Sequence, residues 1–318
     1  MSELHKFLFQ DLPVRGAVVR LTDAWVEILQ RHGLGTGQAY PEPVQRLLGE
    51  LAAAATLMRS SIKFNGSLTL QIVGDGPVKL VVAQVQPDLG LRATATVTGE
   101  VAADAGLSAL VNAANTGRCA ITLDPQSALP GQNPYQGVVP LHGPRGEKLD
   151  RLSEVLEQYM LQSEQLETTL VLAADDKVAA GLLLQRLPGQ DATKSESMGH
   201  NEDYNRVATL AASLKRDELL TLDVATILRR LFWEETLVLF EPLVGEAGPR
   251  FACTCGRERV SKMIFGLGAP EANSILAERG KIEVACEFCG TKEKFDAVDV
   301  ARIFAGQGGV PPSEPTLH

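Results

Sequence analysis

Cys253-Thr254-Cys255 and Cys286-Glu287-Phe288-Cys289 are the residues of this chain whose type and spacing can do chemistry. Two close cysteine pairs set thirty residues apart suit a tetrahedral metal ion, because each pair rides on a short turn and folding of the chain between them brings the pairs together. Gly256 and Gly290 follow the pairs directly, where backbone freedom lets amide groups turn toward sulfur. None of the five histidines lies between residues 201 and 317, so four thiolates are preferred over three thiolates and an imidazole. The expected ligand set is Cys253, Cys255, Cys286 and Cys289 around one Zn²⁺ per chain.

The plainest chemistry for such a site is none: a closed, constitutive structural knuckle. A second reading is redox regulation. A disulfide across Cys253-Thr254-Cys255 would close a tight ring, and strained, exposed disulfides are the labile, regulatory ones. Converting four thiolates to two disulfides would remove every ligand, so chemistry at sulfur would become unfolding of the metal-supported unit. A segment of about 60 residues buries a marginal core, whereas structural Zn²⁺ contributes an apparent ~10–16 kcal/mol at neutral pH. A thioredoxin-like enzyme fits poorly, since its low-pKa thiol needs a helix N-terminus and Cys289 leads into Gly290 and a charged, strand-like Lys292–Phe295. The fifth cysteine, Cys119, lies in the strand pattern Arg118-Cys119-Ala120-Ile121 and reads as a small buried hydrophobe. Arg118 points to the opposite face of that strand.

The elements that must position these cysteines belong to a chain of 318 residues, 45% hydrophobic and 22% charged, which suits about two domains of roughly 100–200 residues. The net charge of −9 argues against nucleic acid as a partner. No apolar run reaches the ~18–20 residues of a membrane span, and Met1 to Pro13 alternates charge with short apolar pieces, so a soluble, cytoplasmic protein is expected. There permanent disulfides are disfavoured. Phosphate-loop patterns are absent; Gly33, Gly35 and Gly37 read as a flexible surface loop. His5, His32, His142 and His200 are scattered without a nucleophile motif, and Asp175-Asp176 and Glu234-Glu235 read as a turn and a solvated helix face. No catalytic residue is assigned, and the chain is not expected to be an enzyme.

Residues 1–187 mix helix and strand signals. One helix runs from Thr22 or Asp23 through Gln30 with Gly33 as its stop, a longer one from Val44 to about Ile62, and another from about Glu147 to Gln162. Ser67–Val73 and Val78–Val85 flank Gly74-Asp75-Gly76-Pro77 as a hairpin. Further strands are Leu91–Thr98, Arg118–Leu123, Gln136–Leu141, Thr168–Ala173 and Val178–Leu187. The mixture indicates an α+β domain with large antiparallel sheets. Residues 188–245 hold ten acidic and six basic residues. After a polar stretch at 190–205 come three helical segments near Tyr204–Leu214, Asp217–Leu220 and Val224–Glu235, weakly amphipathic and dependent on docking. Residues 246–305 carry the four cysteines and helices near Arg257–Gly266, Pro270–Glu278 and Val298–Phe304; 306–318 is a Gly/Pro-rich, disordered tail.

Cys253-Thr254-Cys255-Gly256-Arg257-Glu258-Arg259-Val260 and Ile282-Glu283-Val284-Ala285-Cys286-Glu287-Phe288-Cys289-Gly290 resemble the C-terminal redox switch of the heat shock protein 33 family of chaperones. The likeness extends over nearly the whole chain, through Val14-Arg15-Gly16, Lys63-Phe64-Asn65-Gly66, Gly74-Asp75-Gly76-Pro77, Tyr135-Gln136-Gly137-Val138-Val139, Ser163-Glu164-Gln165-Leu166 and Arg230-Leu231-Phe232-Trp233-Glu234-Glu235. The resemblance implies an ATP-independent holdase whose four cysteines bind Zn²⁺ when reduced. On oxidation it implies disulfides Cys253–Cys255 and Cys286–Cys289, loss of zinc, a destabilised metastable helical linker, capture of unfolding client proteins, and homodimerisation. Trp233 stands where the family pattern has histidine, Glu167 where a proline commonly follows Glu-Gln-Leu, and Gly33–Ala39 looks like an insertion. The competing reading is a constitutive zinc-containing module that binds RNA or a translation factor.

Overall fold

The structure is a computed structural model that describes residues 1–126, 133–187 and 202–305. Its strands are β1 (Glu3–Phe9), β2 (Val14–Leu21), β3 (Gly66–Val73), β4 (Val78–Val85), β5 (Gly90–Val97), β6 (Arg118–Pro125), β7 (Tyr135–Pro140), β8 (Thr168–Ala174), β9 (Ala179–Arg186), β10 (Leu237–Leu239), β11 (Leu243–Val244), β12 (Arg250–Phe251), β13 (Ile282–Ala285) and β14 (Lys292–Phe295). Its helices are α1 (Asp23–Thr36), α2 (Glu42–Ser61), α3 (Leu107–Val111), α4 (Leu152–Ser163), α5 (Glu202–Ala212), α6 (Arg216–Thr221), α7 (Val224–Leu231), α8 (Arg257–Leu267), α9 (Ala269–Arg279) and α10 (Ala297–Ala305). The polar stretch through residue 201 and the tail 306–318 lie outside the described residues.

Two six-stranded sheets enclose α2. One runs β10-β1-β2-β9-β8 with β11 also paired to β1; the other runs β12-β5-β4-β3-β6-β7. Helix α2 touches strands of both, which explains its composition. A helix apolar on every side is a buried helix, and Ala52, Ala53, Ala54 and Ala55 are all fully buried. The expected α+β class and its antiparallel sheets are present, with one exception: β12 joins β5 in parallel.

The first sheet is apolar on both faces. Val19, Leu21, Ala179 and Leu183 point toward α2, while the alternate residues Phe7, Phe9, Val18, Leu182 and Leu184 join α5, α6 and α7 in a second apolar cluster. Arg20 fastens these helices by donating hydrogen bonds to the carbonyls of Leu219, Leu220 and Leu222 at 2.8–3.1 Å. The reading of weak amphipathicity fails at α7: Val224, Ile227, Leu228 and Leu231 are buried and Arg229 and Arg230 exposed. Eight residues are too few for the periodicity to stand out in the sequence.

Other expectations are corrected. Helix α1 continues through Gly33 and Gly35 to Thr36, and it is Gly37, at φ 74°, that caps it. Gly33 is therefore no stop, and the proposed flexible loop is largely helix. Helix α4 begins at Leu152, because Lys148 is drawn into a bridge with His142. Strands β1 and β2 were hidden by charge: Lys6 in β1 sends its ammonium to the Ser60 carbonyl at 2.7 Å, beneath an otherwise apolar face. Helix α7 ends at Leu231, so Glu234 and Glu235 lie beyond it, and Glu235 pairs with Arg206.

Candidate metal centre

Cys286 and Cys289 occupy the turn between β13 and β14, and Cys253 and Cys255 the segment between β12 and α8. Antiparallel pairing from Ile282↔Phe295 to Ala285↔Lys292 delivers the first pair to the hairpin tip. There the Cys286 amide donates to the Thr291 carbonyl at 2.9 Å, and the Gly290 amide to the Cys286 carbonyl at 2.8 Å. Gly290 sits at φ 70°, a conformation that glycine reaches without steric cost.

The four thiols are free, and their Sγ atoms all lie within 4.8 Å of one another. Cys253 Sγ is 3.7 Å from Cys286 Sγ, and Cys255 Sγ is 3.2 Å from Cys289 Sγ. Tetrahedral Zn–S bonds of ~2.3 Å set sulfur atoms about 3.8 Å apart, so this donor set fits a thiophilic divalent ion. The expected backbone support is present but comes from other residues than Gly256 and Gly290: amides of Phe288 and Cys289 face Cys286, and that of Thr291 faces Cys289. Burial resists ionisation at Cys255, Cys286 and Cys289. Against it, hydrogen bonds from Thr291, Cys255 and Cys286 hold Cys289 down at about 6. Burial and the neighbouring thiols push Cys255 up, and burial outweighs the amides at Cys286.

Cys119 is remote from this group, in β6. It is fully buried, and burial pushes its thiol up to about 12, as suits an inert hydrophobe. His32 stacks on Tyr40 with ring centroids 3.5 Å apart, and His5 pairs with Glu3; neither approaches a nucleophile constellation. Trp233 is exposed, and Glu167 forms an ion pair with Arg186 at 2.9 Å.

The surroundings of the cysteines include residues that sequence reasoning missed. Strand β5 is buried on both faces: Leu91, Ala93 and Ala95 face the α2 core, and Arg92 and Thr94 face the cysteines. Thr94 Oγ1 donates to the Glu287 carbonyl at 3.0 Å. Ala252 donates its amide to Leu91 at 2.9 Å, just before Cys253. Gly35 in α1 lies against Gly290, where an added Cβ would come within 3.2 Å of the Gly290 Cα. The sequence indicates a strand over Leu91–Thr98, and nothing in its alternation of apolar and polar residues signals what covers the polar face.

Comparison with known proteins decides the family. The sequence model described as "Hsp33 protein" matches residues 2–296. The chain belongs to the Hsp33 family. Among curated relatives, the 33 kDa chaperonin of Chromobacterium violaceum is 42% identical over 303 residues, covering 95% of this chain and 94% of that protein. The 33 kDa chaperonin of Shewanella loihica is 40% identical over 301 residues, covering 95% of each. The crystal structure of a 33 kDa chaperonin, a heat shock protein 33 homolog of Thermotoga maritima, superposes with a TM-score of 0.74 over 96% of this chain and 98% of that one, at 22% identity, and shows the same fold. As an Hsp33 family member, this protein is a chaperone and not an enzyme. Among the described residues no helix is long and apolar enough to cross a membrane.

Proposed function

We propose that this Hsp33 family chaperone is an ATP-independent holdase, inactive when reduced and zinc-bound, and activated when its four switch cysteines are oxidised. The observation that carries this reading is the convergence of four free thiols within 4.8 Å in a unit whose own apolar core is small. Cys253, Cys255, Cys286 and Cys289 would hold one Zn²⁺, which supplies cross-linking of the two half-sites. A cavity of about 450 Å³ beside the cluster is lined by Cys255 and Cys286, giving a small oxidant a route to one thiol of each half-site.

In the proposed step, four thiolates give four electrons to two peroxide molecules. The peroxides take four protons from solvent and become four waters, and two S–S bonds form, Cys253–Cys255 and Cys286–Cys289. No thiolate then remains to hold the metal. Residues 246–305 lose their main support, and the metastable linker, 188–245, loosens from the body, 1–187. Departure of α5, α6 and α7 would bare the sheet face made by Phe7, Phe9, Val18, Leu182 and Leu184, an apolar surface of the kind that unfolding clients bind. Homodimerisation on activation and a cytoplasmic location complete the proposal.

The test is suppression of aggregation of a thermally unfolding client, with zinc content and free thiols counted on the same samples. Peroxide with mild heat is expected to release one zinc, to lower the free-thiol count by four per chain and to raise holdase activity strongly. Equal activity in the reduced, zinc-loaded protein would overturn the switch.

A further inference from the structure

Two arginines are buried among the described residues. Arg59 donates to the carbonyls of Ile62 and Phe64 and, like Arg92, meets no carboxylate among the described residues. What sets Arg92 apart is where it points. Its side chain leaves β5, its residue is only 7% exposed, and among the described residues no carboxylate forms an ion pair with it. Its Nε donates to Gln84 Oε1 at 2.9 Å, a neutral acceptor on the adjacent strand. Its Nη1 lies 3.7 Å from Cys253 Sγ, and its guanidinium carbon 4.2 Å from the centre of the Phe288 ring. Cys253 belongs to one half-site and Phe288 to the turn of the other. A single cation of the body therefore touches both halves of the metal centre.

A buried charge gains from an opposite charge beside it, and the neighbourhood of Arg92 can supply one. Four thiolates around a divalent ion carry two net negative charges, and that group lies where Arg92 points. We propose that Arg92 is the redox-reading residue of the interface: it docks the cysteine unit on β5 by pairing with the anionic thiolate centre, and releases it when oxidation abolishes that anion. Two disulfides are neutral. Once they form and the metal departs, Arg92 is left buried against apolar sulfur, and hydration of its guanidinium favours separation of β12 and the cysteine turn from the sheet. This is a positioning residue, and the inference rests on the proposed thiolate-metal reading of the four cysteines.

Three variants of the full-length, reduced, zinc-loaded protein separate charge from packing. R92M keeps the stem and the contact with Phe288 but removes the cation; R92K keeps the cation with a different head; R92Q removes it with a polar replacement. Zinc transfer to a chromogenic chelator and hydrogen exchange at the Arg250 and Ala252 amides, which bond to Leu89 and Leu91, report metal retention and docking. R92M and R92Q are expected to release zinc about tenfold faster or more, as losing one partner of a buried charge pair acts on dissociation. They should also lose protection at Ala252. R92K should fall clearly between the parent and R92M, since it preserves the charge but gives up the planar head that bonds Gln84 and stacks on Phe288. If R92M retains zinc and protection like the parent, or R92K fails as badly as R92M, the pairing is wrong and Arg92 is a packing residue. Should R92M not fold, R92Q against R92K gives the same decision. These readouts need no client: a protein that stays inactive after peroxide would refute the holdase switch yet leave this comparison standing. A parent that binds no zinc would refute the metal centre itself.

Discussion

In residues 1–187 the fully buried apolar side chains run without a break from Leu4 in β1 through α2 to Leu183 in β9, across two sheets. In residues 246–305 the buried apolar cluster is Ile264, Ala272, Ile282, Phe295 and Val300. The first region can be held by burial of its side chains. The second has much less to draw on: five such residues, with Val260, Ile275, Leu276, Val284, Ile303 and Phe304 partly buried against them, spread over three helices and one hairpin, against an ordering entropy of about 1–2 kcal/mol per residue. What the second region has is four thiols at one point, and ion pairs such as Arg257 with Asp299 at 2.6 Å on its exposed surface, where such a pair contributes little. The contrast is between a region with a large apolar core and one with a small core and four convergent thiols, and it is the ground for proposing that the second depends on its sulfur atoms.

The sharpest way to break this comparison is to remove the metal. Chelation of the reduced protein removes an expected contribution on the order of 10–16 kcal/mol, comparable to the usual total stability of a domain, about 5–15 kcal/mol. Hydrogen exchange should rise throughout α8, α9, α10 and the β13–β14 hairpin, while α2 and the two large sheets stay protected. The double variant Cys253→Ser, Cys286→Ser should do the same without chelator. Persistent protection from Ile282 to Phe295 in either sample would mean that this unit folds on its own core.

The linker helices test where the boundary between the two behaviours lies. Phe232 follows α7 and meets Phe9 edge-on at 5.1 Å and Phe7 at 6.1 Å. Truncating a buried phenylalanine costs about 3–5 kcal/mol. If α5, α6 and α7 are held to the sheet as a separable layer, Phe232→Ala should expose them to proteolysis before the body unfolds, with some holdase activity before any peroxide is added. A single cooperative transition, merely lowered in temperature, would instead make them part of the body.

How much of this was legible in the sequence follows the same division. The strands β3 and β4 declared themselves by β-rich runs flanking the Gly74-Asp75-Gly76-Pro77 turn and β9 by its Leu-rich run, and the metal ligands by spacing, since C-x-C and C-x-x-C need no tertiary context to be noticed. What stayed hidden depends on contacts between distant segments. Strands β1 and β2 carry charged residues whose partners, such as Ser60 for Lys6, are over fifty positions away. The two-residue strands β11 and β12 exist only because β1 and β5 offer unpaired edges. Arg92 lies in a strand that the sequence places, but its contacts with Cys253 and Phe288 come from segments more than 150 positions away. Gly33 and Gly35 looked like loop residues because glycine is a poor helix former; the helix contains them, and Gly35 lies against the cysteine turn.

Gly35 supports a finer test, because one substitution acts on the two regions with opposite sign. Within α1, replacing glycine by alanine removes backbone freedom from the unfolded chain and should stabilise the helix by up to about 1 kcal/mol. Across the interface, the new methyl carbon would stand 3.2 Å from Gly290 Cα and 3.9 Å from its nitrogen. The neighbour is backbone, held at φ 70° inside the turn that carries Cys286 and Cys289, so it gives way only by moving the turn. Gly35→Ala is therefore expected to leave the melting of the body unchanged or slightly raised, while thiol modification of Cys286 and Cys289 in the zinc-loaded protein accelerates by a few-fold, about what 1 kcal/mol of lost docking allows. Both changes in the same direction would mean that helix and turn respond as one body, and that the division drawn between burial and sulfur does not run along this contact.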